Sequence, residues 1–103
     1  MSTRLDILLK FYDDDPNDPF NIYALAIEYQ KSDLPKARQY FEKLLNEYPH
    51  YIPTYYHAAK LYQETGDTDR AINTYEKGIE VAKSQNDTKA ARELKSAYDE
   101  LMF

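Results

Sequence analysis

The sequence predicts an all-α fold, and three observations carry that prediction. Apolar residues recur at helical spacing in six stretches, each bounded by proline, glycine or helix-capping residues. The chain contains two glycines, which is few for a turn-rich β fold. A pattern of residue types also recurs after 33 to 34 positions, which is typical of a chain built from repeated helical units.

The first two helices are predicted from their apolar stripes and their stop signals. The first covers about residues 3–12 and ends at the aspartates that precede Pro16. The second starts at Pro19, where the missing N–H of proline costs nothing, and Asp18 is its predicted N-cap. This helix ends near Ser32.

The third and fourth helices are delimited mainly by proline. The third begins after Asp33, carries Pro35 in its first turn and stops before Pro49. The fourth starts at Pro53 and ends at Gly66, because glycine favours the left-handed conformation that closes many helices.

The last two helices complete the set. The fifth is predicted from about Thr68 to Ser84, and the sixth follows Asp87 and reaches about Leu101. All the connections are short, so consecutive helices are expected to pack antiparallel.

The internal repeat relates the second and third helices to the fourth and fifth. Ala37 and Phe41 recur as Ala71 and Tyr75, 34 residues later. Two further matches lie 33 residues apart: Ala26 with Ala59, and Tyr29-Gln30 with Tyr62-Gln63.

A two-helix unit of this length resembles the tetratricopeptide repeat, whose pattern is W-x2-L-G-x2-Y, A-x3-F and then P. The first unit reads Ile22-x2-Leu25-Ala26-x2-Tyr29, Ala37-x3-Phe41 and Pro49, and the second reads Tyr55-x2-Ala58-Ala59-x2-Tyr62 and Ala71-x3-Tyr75. The resemblance implies a right-handed superhelix of antiparallel helix pairs. It places two full repeats at about 19–49 and 53–84, with capping helices at about 3–12 and 88–101, in a single domain 1–103.

Two departures from the repeat pattern carry structural predictions. Lys83 stands where Pro49 of the first unit predicts a proline, so the fifth helix is expected to run longer than the third. Gly78 lies inside a helix, where glycine costs about 1 kcal/mol relative to alanine. We interpret Gly78 as the site of a close helix crossing, at which a larger side chain such as leucine would destabilise the fold.

Composition and charge exclude several classes of function. Lys and Arg total 13 against 18 for Asp and Glu, a net charge of −5, which disfavours binding to nucleic acid or to an anionic membrane. There is no cysteine, so disulfides and thiolate chemistry are excluded. No apolar run approaches the ~20 residues of a membrane span, and the start lacks the features of a signal peptide. We expect a cytoplasmic protein.

Catalytic and metal-binding patterns are absent from the sequence. His50 and His57 have no third ligand at metal spacing. The stretch Asp13-x-Asp15-x-Asn17 resembles the start of a calcium loop but has no glycine at its sixth position. We therefore expect no enzyme activity, no cofactor and no metal.

The resemblance also indicates where a partner would bind, because the first helices of successive tetratricopeptide units line a concave groove that takes protein or peptide ligands. By alignment, the groove positions of this chain are Phe20, Tyr23, Ile27 and Gln30 in the first unit, Tyr56, His57, Lys60 and Gln63 in the second, and Lys89, Arg92 and Ser96 in the last helix.

Two interpretations of these groove residues stay open. In one, the aromatic residues are exposed for binding, and the basic residues Lys60, Lys89 and Arg92 attract a peptide with an apolar anchor and a downstream acid. In the other, Phe20 and Tyr23 pack under the opening helix, and Tyr56 covers the gap between helices. Of the positions that form the carboxylate clamp of co-chaperone domains, only Lys89 matches, so such a clamp is not expected.

A structural role is the alternative to partner binding. The apolar residues of one end helix could support weak homo-oligomerisation or stacking on another repeat protein: either Leu5, Leu8, Leu9 and Phe11, or Leu101, Met102 and Phe103.

Overall fold

The structure, a computed structural model, describes residues 3–103, and this part of the chain forms six α-helices. They are α1 (Arg4–Asp14), α2 (Pro19–Tyr29), α3 (Leu34–Glu47), α4 (Pro53–Glu64), α5 (Thr68–Ser84) and α6 (Thr88–Met102). The all-α prediction is confirmed. The chain divides into two compact units, one ending at Tyr51 and containing α1 to α3, the other starting at Ile52 and containing α4 to α6.

Local hydrogen bonds fix where most helices begin. Thr3 and Asp6 form a capping box, in which each side chain accepts a hydrogen bond from the other residue's backbone N–H. Aspartate caps four further helices, as its short carboxylate can accept from the free N–H groups of a first turn. The pairs are Asp18 with Phe20 N–H (2.9 Å), Asp33 with Lys36 N–H (3.1 Å), Asp67 with Arg70 N–H (3.4 Å) and Asp87 with Ala90 N–H (3.0 Å).

Residues in the left-handed conformation follow two of the helices, and one of them, Gly66, was predicted to end its helix. Gly66, after α4, has a φ of 85°, the left-handed conformation that glycine adopts without a steric cost. Asn86, after α5, has a φ of 60°, and asparagine is one of the few other residues that tolerate this region. Helix α5 has 17 residues against 14 for α3, so the longer fifth helix is confirmed.

In the first unit, α2 packs against both α1 and α3. The three helices meet at a group of tyrosine rings: Tyr40 lies edge-on to Tyr12, with centroids 5.9 Å apart, and stacks on Tyr29 at 5.7 Å. Such pairs stabilise a core beyond the area that they bury. The buried hydrophobic residues of this unit are Leu8, Ile22, Leu25, Ala26, Tyr29, Ala37, Phe41 and Leu44.

In the second unit, α5 packs against both α4 and α6. Gly78 of α5 is buried, and a Cβ atom built on it would lie 2.6 Å from Cβ of Tyr55 and 3.1 Å from Cδ1 of Leu94. No side chain fits there without movement of a neighbouring helix, which confirms the predicted close crossing. The other small core residues of this unit are Ala58, Ala59, Ala71, Ala82 and Ala97.

Candidate functional site

The second unit contains a cleft with a volume of about 250 Å³. One wall is Tyr56 of α4, and the other residues lining the cleft belong to α6: Glu93, Ser96, Ala97 and Glu100. Ala97 is 6% exposed and lies low in the cleft, whereas Glu93, Ser96 and Glu100 are exposed. The cleft therefore combines an aromatic wall with two carboxylates.

Helix geometry explains how these residues come together. The four residues from α6 are spaced i, i+3, i+4 and i+7, which places them on one face of the helix. Tyr55 is almost fully buried at 2% exposure, and the next residue is turned about 100° around the helix axis. Tyr56 consequently reaches the surface and keeps 38% of its area exposed.

Two neighbours on α4 contact the Tyr56 ring. The His57 ring meets it edge-on, with centroids 5.6 Å apart, and the Lys60 ammonium lies 5.8 Å from the Tyr56 centroid. His57 is half-buried, and burial lowers its pKa because it disfavours the charged imidazolium. This face of α4 thus carries a histidine with a lowered pKa and a lysine beside an exposed tyrosine.

Gln63, the fourth predicted groove residue of α4, has an internal hydrogen-bond partner. Its Oε1 atom accepts a hydrogen bond from the Tyr75 hydroxyl at 3.3 Å. Burial is the main cause that raises the pKa of Tyr75 to about 12, with smaller contributions from Tyr56, Glu100 and Glu64. Gln63 therefore supports the core beneath the cleft.

The basic residues predicted for α6 do not line the cleft. Lys89 and Arg92 are exposed, and the Lys89 ammonium lies 4.0 Å from a carboxylate oxygen of Glu93. Ser96 is the one α6 residue common to the predicted groove and the observed cleft. The cleft lies about one helical turn nearer the carboxyl end of α6 than the alignment predicts, and acids replace bases in its lining.

The predicted groove residues of the first unit differ in exposure. Phe20 is 58% exposed, so it is not covered by the opening helix. Tyr23 is half-buried against Tyr51, with ring centroids 5.9 Å apart, and burial raises its pKa. Ile27 is half-buried, and Gln30 caps the end of α2, where its backbone N–H donates to the Ala26 carbonyl. Of these residues, Phe20 offers the most surface for contact.

Sequence reasoning missed a second cavity, of about 340 Å³, in the first unit. The Tyr48 hydroxyl borders it and donates a hydrogen bond to the Asn17 carbonyl at 3.0 Å. The aromatic and proline residues of the loop after α3 were a usable signal, although spacing alone does not show that they surround a space. The lining residues are Pro19, Glu47, Tyr48, Pro49, His50 and Tyr51.

Residues 3–103 contain neither a candidate metal site nor a candidate membrane span. Within that range, no three His, Asp or Glu side chains gather closely enough to hold a metal ion. None of the helices described there has the length and apolar content needed to cross a membrane.

Comparison with known proteins identifies the family. A family model described as tetratricopeptide repeat matches residues 28–98. The chain belongs to the tetratricopeptide repeat family. The tetratricopeptide pattern quoted from the sequence is therefore confirmed, and repeats of this family generally mediate protein–protein interaction rather than catalysis. No curated protein matches this tetratricopeptide repeat chain.

Three solved structures of other proteins are similar to this one. The solution structure of a tetratricopeptide repeat domain protein from Salinibacter ruber is 45% identical, with a TM-score of 0.81 over 84% of this chain and 89% of that chain. A crystal structure of such a protein from the same organism is 44% identical, with a TM-score of 0.79, and covers 84% and 97%. A protein from Bordetella parapertussis, 20% identical, shares the fold over 99% and 90%, with a TM-score of 0.83.

Proposed function

We propose that this tetratricopeptide repeat chain binds a segment of a partner protein, and that the cleft between α4 and α6 is the principal contact of its second unit. The observation that carries the proposal is the concave, partly exposed position of Tyr56 beside α6. Tyrosine supplies a large contact area at a low entropic cost, and it is common among the residues that dominate binding energy. No catalytic activity is proposed.

In the first unit, the proposed contacts for the partner are Phe20 and Tyr23. Phe20 is the most exposed aromatic side chain on α2, and large exposed apolar side chains are candidate contacts for a partner. Half-buried Tyr23 is held by its contact with Tyr51, which limits the rotamer freedom that binding would otherwise remove.

The test starts from peptides selected on the intact protein out of a random display library. The double variant Tyr23→Ala, Tyr56→Ala should bind the selected peptides at least about tenfold more weakly, which corresponds to about 1.4 kcal/mol. Phe11→Ala is the matched control, since Phe11 is a 52% exposed aromatic residue on α1 that is not among the proposed contacts. Circular dichroism should show unchanged helicity in both variants.

The alternative, self-association, rests on Ile7 and Phe11, which lie one turn apart on α1 and are 46% and 52% exposed. Light scattering at several concentrations distinguishes the two roles. A mass that rises with concentration, together with full peptide binding by the double variant, would reject the groove proposal and favour association through α1.

A further inference from the structure

The charge of the cleft is opposite to that expected from the aligned sequence. Two carboxylates, Glu93 and Glu100, line the cleft, and no lysine or arginine is among its lining residues. Ser96 and Ala97 lie between these acids along α6 and leave room beside the Tyr56 ring because both are small. A ligand in the cleft can therefore contact the aromatic ring of Tyr56 and a negatively charged carboxylate at the same time.

The chain's own cations already occupy parts of this surface. The Lys60 ammonium lies 5.8 Å from the centroid of Tyr56, within the range of a cation–π contact. The Lys89 ammonium lies 4.0 Å from Glu93, and both side chains are well exposed, at 85% and 59%. Exposed pairs of this kind contribute little net stability, so a partner can displace them easily.

Glu100 has no such internal cation. Among residues 3–103, no lysine, arginine or histidine comes within salt-bridge distance of its carboxylate. The negative charge of Glu100 also acts on the buried Tyr75 hydroxyl, because Glu100 and Glu64 make small contributions to its raised pKa.

We infer that the cleft takes an arginine side chain from an extended peptide, with the guanidinium group against Tyr56 and paired with Glu93 or Glu100. This inference rests on the proposed function, since it specifies the chemistry of the segment that the same cleft would bind. It replaces the acid-bearing ligand predicted from the aligned basic residues with a ligand of opposite charge.

Arginine fits the cleft better than lysine for geometric reasons. A guanidinium is planar, stacks on aromatic rings and donates paired hydrogen bonds to a carboxylate, whereas an ammonium is a compact and strongly hydrated charge. Glu93 and Glu100 are seven residues apart, so their α-carbons are about 10.5 Å apart along the helix axis. An arginine side chain that lies along α6 can therefore pair its guanidinium group with the carboxylate of Glu93 or Glu100 while its aliphatic part contacts Ala97.

The experiment compares three versions of a peptide selected on the intact protein, carrying arginine, lysine or neutral citrulline at one position. We expect the intact protein to bind the arginine peptide about tenfold more tightly than the citrulline peptide at low ionic strength, and the preference to shrink in high salt. The double variant Glu93→Gln, Glu100→Gln should lose this preference and bind both peptides equally.

Two control variants separate this site from general electrostatics. Asp14→Asn combined with Glu80→Gln removes the same two charges from exposed positions outside the cleft and should keep the arginine preference. Lys89→Gln frees Glu93 from its internal cation and should tighten binding of the arginine peptide by about twofold to threefold. Under the sequence-based expectation of an acidic ligand, Lys89→Gln would weaken binding instead.

The outcomes distinguish the inference from the function on which it rests. If the selected peptides bind Tyr23→Ala, Tyr56→Ala at full strength, the proposed function fails. If they depend on Tyr56 but carry no basic residue, or bind Glu93→Gln, Glu100→Gln unchanged, the function stands and the arginine inference is overturned. Tighter binding of the lysine peptide than of the arginine peptide would also overturn it.

Discussion

Position 78 shows how one missing atom sets the distance between helices. Glycine there has a hydrogen where any other residue carries Cβ, and that Cβ would lie 2.6 Å from Cβ of Tyr55, closer than the usual contact distance of about 3.5–4.0 Å. Because Cβ of Tyr55 is fixed to the backbone, a change of rotamer cannot relieve the contact. Helices α4 and α5 approach this closely only with glycine at the crossing.

We predict that Gly78→Ala lowers the free energy of unfolding by about 1–3 kcal/mol, the usual cost of overpacking a core. The loss should occur although alanine has a helix propensity about 1 kcal/mol more favourable than that of glycine. Asn73→Ala, an exposed substitution in the same helix, is the control and should be neutral or slightly stabilising. Urea unfolding followed by circular dichroism measures both variants, and an unchanged midpoint for Gly78→Ala would contradict the crossing.

At this scale the recurrence of small residues in the sequence coincides with the core, whereas the two acids of the cleft lie outside the predicted groove positions. Ala26, Ala37, Ala59 and Ala71 recur at a fixed spacing, and each is fully buried. The lining of the cleft depends on which turns of α6 lie opposite Tyr56. A pattern of residue types does not fix the position along α6 to within one helical turn, so the two acids were not among the predicted groove residues.

At the scale of the element, residues close together in the sequence determine where most helices begin. Aspartate at the N-cap followed by a backbone N–H two or three residues later recurs at α2, α3, α5 and α6. Helix α4 differs: it begins with Pro53 and has no side-chain cap hydrogen bond. Its start depends on the fixed φ of proline and on tertiary packing.

We predict that Asp87→Ala lowers the free energy of unfolding by about 1 kcal/mol, because the Ala90 N–H would lose its carboxylate acceptor. Asp87→Asn is the matched control, since asparagine caps helices about as well without the charge. Thermal unfolding of the three proteins should rank Asp87→Asn close to the parent and above Asp87→Ala. Equal losses in both variants would show that charge rather than capping stabilises α6.

Helix ends were harder to predict than helix starts. The structure extends α1 to Asp14, beyond the predicted end at Tyr12, because the aspartates before Pro16 still fit the last turn. Its terminal bond, from the Asp15 N–H to the Phe11 carbonyl, uses only backbone atoms. Since no side chain is required, the residue types do not reveal the turn at which the helix stops.

At the scale of the whole molecule, the tyrosine content makes stability sensitive to alkali. The chain has eleven tyrosines and no tryptophan. The pKa is raised by burial at Tyr23, Tyr40, Tyr51, Tyr55 and Tyr75, and at Tyr98 mainly by the hydrogen bond to Glu76. The folded chain therefore keeps phenol protons that the unfolded chain releases at lower pH.

We predict that the contribution of Tyr75 to stability is at its full value below pH 10 and is lost as the pH rises from 10, the ordinary pKa, towards about 12, the raised pKa of Tyr75. The sign follows because the folded state binds more protons than the unfolded state in this window. Urea unfolding at several pH values measures the slope, and tyrosinate absorbance follows the titration. Tyr75→Phe should give a shallower slope, and an identical slope would contradict the assignment.

Packing between helices that follow one another in sequence bears on how the chain acquires its structure. The helix pairs α1 with α2, α2 with α3, α4 with α5 and α5 with α6 all join immediate neighbours. Low sequence separation between partners keeps the loop-closure entropy small and is associated with rapid folding. During synthesis, two consecutive helices can therefore pack against each other as soon as the second has left the ribosome. They do not have to wait until the helices that follow them have been made.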